Sequence, residues 1–201
     1  MISSRNLFIL CSIILYRSDS VMKFCSNCGA PVEHRIPPGD NRPRYVCPAC
    51  GVIHYENPNI VAGTVPIHGD KVLLCRRAIE PRRGFWTLPA GFMENKETTT
   101  EAAIRETWEE AAAEVELSGL YTVINLPHID QVHMFFLARL IDGKFGIGEE
   151  SLEVALFSEA EIPWDEIAFP TVRQTLENFF ADRHQHTFPV RVTDITWNRP
   201  K

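Results

Sequence analysis

The chain has no excess of positive charge: 20 Lys and Arg stand against 26 Asp and Glu, a formal net charge of -6. That argues against a general nucleic-acid binder, which carries a basic stripe. It leaves a nucleotide substrate open, because a bound metal reverses the local sign. Long apolar runs are also missing. LFILCSIILY, from Leu7 to Tyr16, follows Arg5 and resembles the core of a signal peptide, yet it is shorter than the roughly 20 residues a membrane-spanning helix needs. Cysteines are few. Of the six, Cys11 and Cys75 stand alone and the other four form two Cys-x-x-Cys pairs. In a chain of 201 residues such pairs point to metal in a reducing, cytoplasmic compartment more than to a disulfide scaffold. No internal repeat or low-complexity segment is visible.

What is present suits one catalytic domain and a small appendage: 45% hydrophobic and 23% charged residues, an ordinary globular balance. Residues 1–21 are expected to be an extension, disordered or not translated, since MKFCSNCGAPV from Met22 reads as a natural opening. Residues 22–56 form the first expected unit. Cys25, Cys28, Cys47 and Cys50 supply four thiolates, enough for a closed tetrahedral Zn²⁺ site, and Gly29 and Gly51 follow each second cysteine where a knuckle turns. Two disulfides or incidental cysteines are the alternatives. A unit this small has little core, so metal would supply much of its stability.

A second domain is expected over 57–183, with 184–201 as a tail. NIVAGTVPIH and KVLLCRR are β-branched runs joined by Gly69-Asp70, a hairpin pattern. GFWTLPAGF reads as a loop with a short extended piece. Thr98 with Glu101 makes a capping box that starts the main helix. Ile104, Trp108, Ala111 and Val115 share one helical face, which is expected to pack on a sheet. LYTVINL, QVHMFFLARL and EVALFS read as strands, and a last helix is expected from Val172 to about Asp182. Strands interleaved with two helices predict an α/β sandwich with a mixed sheet.

Glu106, Glu109 and Glu110 are spaced to converge on one side of the main helix, roughly opposite that apolar face. Like charges so placed repel, and the helix C-terminus adds to the penalty. A hard divalent cation would turn the cluster into a site. A solvated acidic helix face is the bland alternative.

From Gly91 to Ala113 the chain reads GFMENKETTTEAAIRETWEEAAA. Its skeleton of Gly91, Glu97, Arg105-Glu106 and Glu109-Glu110 resembles the signature of the Nudix hydrolases, which cleave diphosphate bonds in nucleotide derivatives. The resemblance implies a Nudix-type α/β/α sandwich. It implies Mg²⁺ or Mn²⁺ on Glu106, Glu109, Glu110 and the Gly91 carbonyl, with Arg105 and Glu97 holding each other. Two positions depart from the pattern. Ala112 stands where the family has Gly and would fit poorly if that position needed positive φ; Thr107 stands where it has an aliphatic residue. Glu110, Glu150 and Glu153 are candidates for the base that takes a proton from water.

For the substrate, a ribbon before such a domain resembles the NADH pyrophosphatases, but their SQPWPFP-like motif is absent. CRRAIEPRRGFWTLPAGFME, RETWEEA and ESLEVALFSEAEIPWDEIAF look closer to zinc-ribbon Nudix proteins related to the plant plastid FAD pyrophosphatase. That favours FAD or ADP-ribose, an ADP-X dinucleotide, as a small-molecule substrate. An NADH pyrophosphatase, a nucleoside-triphosphate sanitiser and a non-catalytic nucleotide-sensing or nucleic-acid-binding module are the alternatives. Arg77, Trp86, Phe92 and His133 are the expected substrate contacts, and Phe85 and His128 are further candidates to stack on or bond to a ring system. For Trp86 the competing reading is core, and for the histidines it is a satisfied strand side chain. No membrane contact is expected, and a homodimer is expected by family likeness.

Overall fold

A computed structural model describes residues 22–196; the expected extension over 1–21 lies outside the described residues. The described chain divides between Asn57 and Pro58 into two packing units. No helix among the described residues is long and apolar enough to cross a membrane.

In the first unit, β1 (Glu33–Arg35), β2 (Arg44–Val46) and β3 (Ile53–His54) form a small antiparallel sheet. The two cysteine pairs sit in matched turns: the Gly29 amide donates to the Cys25 carbonyl and the Gly51 amide to the Cys47 carbonyl, each at 2.9 Å.

The second unit is built on β4 (Asn59–His68), β5 (Lys71–Arg77), β6 (Trp86–Thr87), β7 (Ala90–Phe92), β8 (Val115–Leu126), β9 (Gln131–Leu140), β10 (Ser151–Phe157) and β11 (Arg191–Asp194). Its two α-helices are α1 (Thr99–Ala111) and α2 (Pro170–His184). The main sheet runs β10-β5-β4-β9-β8-β11, with β6 beside β5 and β7 beside β4. It is mixed: β4 with β9 and β8 with β11 are parallel, the other pairs antiparallel. The expected hairpin is present, with Ile67 opposite Val72 across Gly69-Asp70.

Each strand sends alternate side chains to opposite faces. Phe135 and Leu74 join Val172, Leu176, Phe179 and Phe180 of α2 in one core cluster. Phe136 faces the other way, onto Ala102 and Ala103 of α1, and Leu73 packs with Ala111. One helix therefore covers each face, the α/β/α sandwich predicted.

Three expectations need correcting. The motif helix stops at Ala111 and Val115 opens β8 instead. Ile104 and Trp108 are 41% and 54% exposed, and α1 packs through Ala102, Ala103, Thr107 and Ala111. Small side chains let a helix lie close to a sheet, so the bulky pair is left outside. The tail is also partly structured. Val192 and Thr193 belong to β11, which adds to β8 in parallel register. Buried Asp182 fixes it there, accepting from Arg191 Nε at 2.8 Å and from Tyr121 Oη at 2.7 Å.

Candidate active site

Helix α1 begins as its sequence dictates. Thr98 accepts from the Glu101 amide while the Glu101 carboxylate accepts from the Thr98 amide, a complete capping box. Four residues later Arg105 spreads its guanidinium over three carboxylates. Nε and Nη2 reach the two oxygens of Glu97 at 2.9 and 2.8 Å, Nη1 reaches Glu106 at 2.6 Å and Glu109 at 3.0 Å, and Nη2 also donates to the Phe92 carbonyl at 3.2 Å. One cation thus ties the loop after β7 to the acidic side of the helix. Its bonds hold Glu97 down at about 2.

The carboxylates differ sharply in environment. Glu109 is open to solvent, Glu106 is largely covered, and Glu110 is buried at 6% exposure. Burial pushes Glu110 up to about 8, and the nearby charges of Glu106 and Glu150 add to the shift, against the Ala90 amide and Arg77. The Ala90 amide donates to Glu110 Oε2 at 3.3 Å. Burial likewise raises Glu106, against the pull of Arg105. Glu106 and Glu110 therefore lie on the flank of the packed face, turned toward β7, rather than opposite the sheet.

The helix ends in a strained turn. Ala112 has φ 43° and ψ 38°, the left-handed region that glycine adopts freely, and its amide donates to the Trp108 carbonyl. Beyond it, Gly146 donates to the Ala111 carbonyl at 2.7 Å and Gly148 to the Glu110 carbonyl at 3.2 Å. These bonds satisfy carbonyls that a helix end leaves open. A β-carbon on residue 148 would stand 1.8 Å from the Glu109 carbonyl oxygen, so only glycine fits. The same segment carries Glu150, whose charge reaches Glu106 and Glu110. Sequence reading missed this brace; the GIG between Phe145 and Glu149 was its only signal.

Among the expected contacts, Arg77 is the last residue of β5. Its Nε donates to the Pro81 carbonyl at 2.8 Å and its guanidinium lies 5.0 Å from the centroid of Phe169. Phe92 is exposed beside Arg105. Trp86 is not available to a ligand: it is 6% exposed in the core, edge-on to Phe157 at 4.8 Å. His133 has both ring nitrogens engaged, with Thr171 at 3.2 Å and Gln131 at 3.0 Å, and burial lowers it to about 4. Glu153 points along the exposed strand to Arg76 at 3.5 Å, which leaves Glu150 as the base candidate nearer the acids. Thr107 does more than fill an aliphatic position: its hydroxyl donates to the Ala103 carbonyl and lies 2.7 Å from that of Thr64, both buried.

In the ribbon, the four Sγ atoms lie within 4.8 Å of one another, with Cys25 to Cys50 at 3.7 Å and Cys28 to Cys47 at 3.5 Å. A tetrahedron with Zn–S bonds of about 2.3 Å has edges of about 3.8 Å, so the donor set fits Zn²⁺. All four are free thiols, not disulfides. The Val52 amide, then the Asn27 side chain, lowers Cys50, favouring the ligating thiolate at that position.

A family model described as the NUDIX domain matches residues 58–182. The chain belongs to the Nudix family. A second model, a zinc ribbon described as Nudix N-terminal, matches residues 23–56. A NUDIX hydrolase crystal structure from Nitrosomonas europaea is 53% identical, covers 87% of this Nudix chain and 100% of its own, and superposes with a TM-score of 0.82. An ADP-ribose pyrophosphatase from Methanocaldococcus jannaschii is 28% identical over 113 residues, 54% of this chain and 67% of that protein. An NAD-capped RNA hydrolase from Pseudomonas aeruginosa is 28% identical over 171 residues, 84% of this chain and 59% of that protein. This Nudix chain thus spans a little over half the length of that last relative.

Proposed function

We propose that this Nudix protein hydrolyses the diphosphate of an ADP-X dinucleotide with Mg²⁺ or Mn²⁺ held by Glu106, Glu109, Glu110 and the Gly91 carbonyl. The observation that carries the reading is Arg105, which holds Glu97, Glu106 and Glu109 together in front of buried Glu110. Oxygen donors so gathered suit a hard divalent ion and leave no role in stability that a neutral side chain would not fill better. When bound, such ions neutralise phosphoryl oxygens and generate a nucleophile from water.

The chain's own residues supply the rest. Arg105 and Glu97 keep the loop after β7 against the helix, so the ligands need little reorganisation. Glu150, on the glycine-braced segment, takes the proton of the attacking water. Arg77, with no ion-pair partner among the described residues, offers its guanidinium edge to a phosphoryl oxygen.

Among ADP-X molecules, the reading moves from FAD toward ADP-ribose and nicotinamide dinucleotides. The relatives named above support that order, since they are named for ADP-ribose and for an NAD cap. Zn²⁺ in the ribbon is structural, because four thiolates close the site. The free thiols suit a reducing, cytoplasmic setting. A homodimer belongs to the same proposal and is tested by light scattering on the full chain.

A turnover screen of ADP-ribose, NADH, FAD and nucleoside triphosphates with Mg²⁺ or Mn²⁺ tests the function. AMP release from the first two, lost in Glu109→Gln and Glu110→Gln, is expected. No hydrolysis of any of them, or unchanged kcat in both variants, would overturn the proposal.

A further inference from the structure

Among the described residues, four arginines have no ion-pair partner: Arg42 in the ribbon, and Arg77, Arg82 and Arg83 together in one short stretch. That stretch is the last residue of β5 and the loop that leads from it to β6. Its only acid, Glu80, is exposed and pairs with none of them. The loop is stitched to itself. The Arg77 amide donates to the Phe85 carbonyl, the Gly84 amide to the Arg77 carbonyl and the Phe85 amide to the Arg82 carbonyl, while Arg76 Nε donates to the Gly84 carbonyl. Arg82 sits at φ 66°, a left-handed conformation that costs a side-chain-bearing residue energy, and its guanidinium lies 5.3 Å from the Phe85 ring centroid. Arginines held in a hydrogen-bonded loop without a carboxylate partner present positive charge to an anion.

The loop borders the acidic site. The Ala78 amide donates to the Glu150 carbonyl at 2.8 Å, and the Arg77 charge is felt at Glu110. The acidic cluster thus adjoins a loop whose two arginines form no ion pair with its single acid, Glu80. The hydrolysis proposed above uses the carboxylates and Arg77 and gives Arg82 and Arg83 no role.

We propose that Arg82 and Arg83 form a second anion subsite, which takes a phosphate monoester carried by the substrate outside its scissile diphosphate, such as a ribose 2′-phosphate. This rests on reading the neighbouring carboxylates as a diphosphate-hydrolysing centre. Arginine suits the task because its planar fork grips phosphate oxygens in pairs.

The test compares substrates differing by one phosphate: NADPH against NADH, and 2′-phospho-ADP-ribose against ADP-ribose, using the full chain and Mn²⁺. The phosphorylated member is expected to have the higher kcat/KM by about tenfold, the worth of one charge-assisted hydrogen bond. Arg82→Asn with Arg83→Gln is expected to bring the ratio close to one; asparagine is chosen because it tolerates the left-handed backbone. Arg83→Gln alone, at an exposed position, lowers the ratio about threefold if one of two donors is lost and guards against misfolding of the double variant. Arg42→Gln leaves it unchanged. The same ratios read as binding affinities in Glu109→Gln protein separate the subsite from catalysis: absence of all turnover sinks the hydrolase reading, while the affinity ratio still reports on the loop. A wild-type ratio near one, or a tenfold ratio that survives in the double variant, would overturn the subsite.

Discussion

The carboxylate of Glu106 rests against the α-carbon of Gly91: a β-carbon there would stand 2.3 Å from Oε2 and 2.5 Å from Oε1. The glycine is needed for space, since its backbone is not left-handed. Gly91→Ala must therefore push Glu106 out of line with Glu109 and Glu110. Displacing a ligand by about 1 Å costs on the order of 100-fold in rate. A steady-state assay is expected to show that loss in kcat with little change in melting temperature; an active Gly91→Ala enzyme would remove Glu106 from the site.

Ala112 supplies the opposite experiment. Its left-handed conformation carries a steric cost that glycine avoids. Ala112→Gly is expected to stabilise the protein by about 1 kcal/mol, read as a higher urea midpoint at unchanged slope. Activity should be retained, because the change only relaxes a helix end.

The buried hydroxyls of Thr64 and Thr107 form a pair, so their variants should not add. Thr107→Val leaves Thr64 without its partner and is expected to cost about 1–3 kcal/mol. Thr64→Val with Thr107→Val removes both polar groups and should cost less than the sum of the singles. Additive losses in denaturant melts would show that the hydroxyls do not depend on each other.

Glu110 sets a pH dependence. Its folded value, about 8, lies above the ordinary 4.5. The fold favours the protonated form, so this contribution is fully present below about 4.5 and is lost as pH rises through about 8. In chelator, the melting temperature of the wild type should fall across that window relative to Glu110→Gln. Saturating Mn²⁺ should remove most of the fall, because the ion stabilises the carboxylate. A wild-type curve parallel to that of Glu110→Gln would contradict the burial of a titrating acid.

For the ribbon, elemental analysis is expected to find about one Zn²⁺ per chain, the content of a single four-thiolate site. Cys47→Ser, which removes a buried ligand, should lower it well below that. Undiminished zinc in the variant would place the metal elsewhere.

Much of this was legible from local rules. Thr98 and Glu101 marked the helix start because a capping box is written within four residues, and Gly69-Asp70 marked its hairpin for the same reason. The acidic cluster could be read because helical spacing brings its side chains together, and the cysteine tetrad because each Cys-x-x-Cys pair is a local turn that needs a second pair to complete four donors. What failed depended on distant partners. Ile104 and Trp108 looked like the buried side of α1, but the sheet accepts a close-lying helix and takes the alanines. Trp86 and His133 could be read from the sequence as ligand contacts or as packed side chains, and only Phe157, Thr171 and Gln131, met across the fold, decide for the second. β11 could not be seen because its reason to exist is β8 and the carboxylate of Asp182.

That last strand has a practical consequence. A shortened protein ending after α2 would leave β8 as a bare sheet edge, its amides and carbonyls open to pairing with other molecules, and would strand Asp182 in the interior without its cation. Trimming the C-terminus to tidy the chain for crystals or fusions should therefore promote edge-to-edge aggregation.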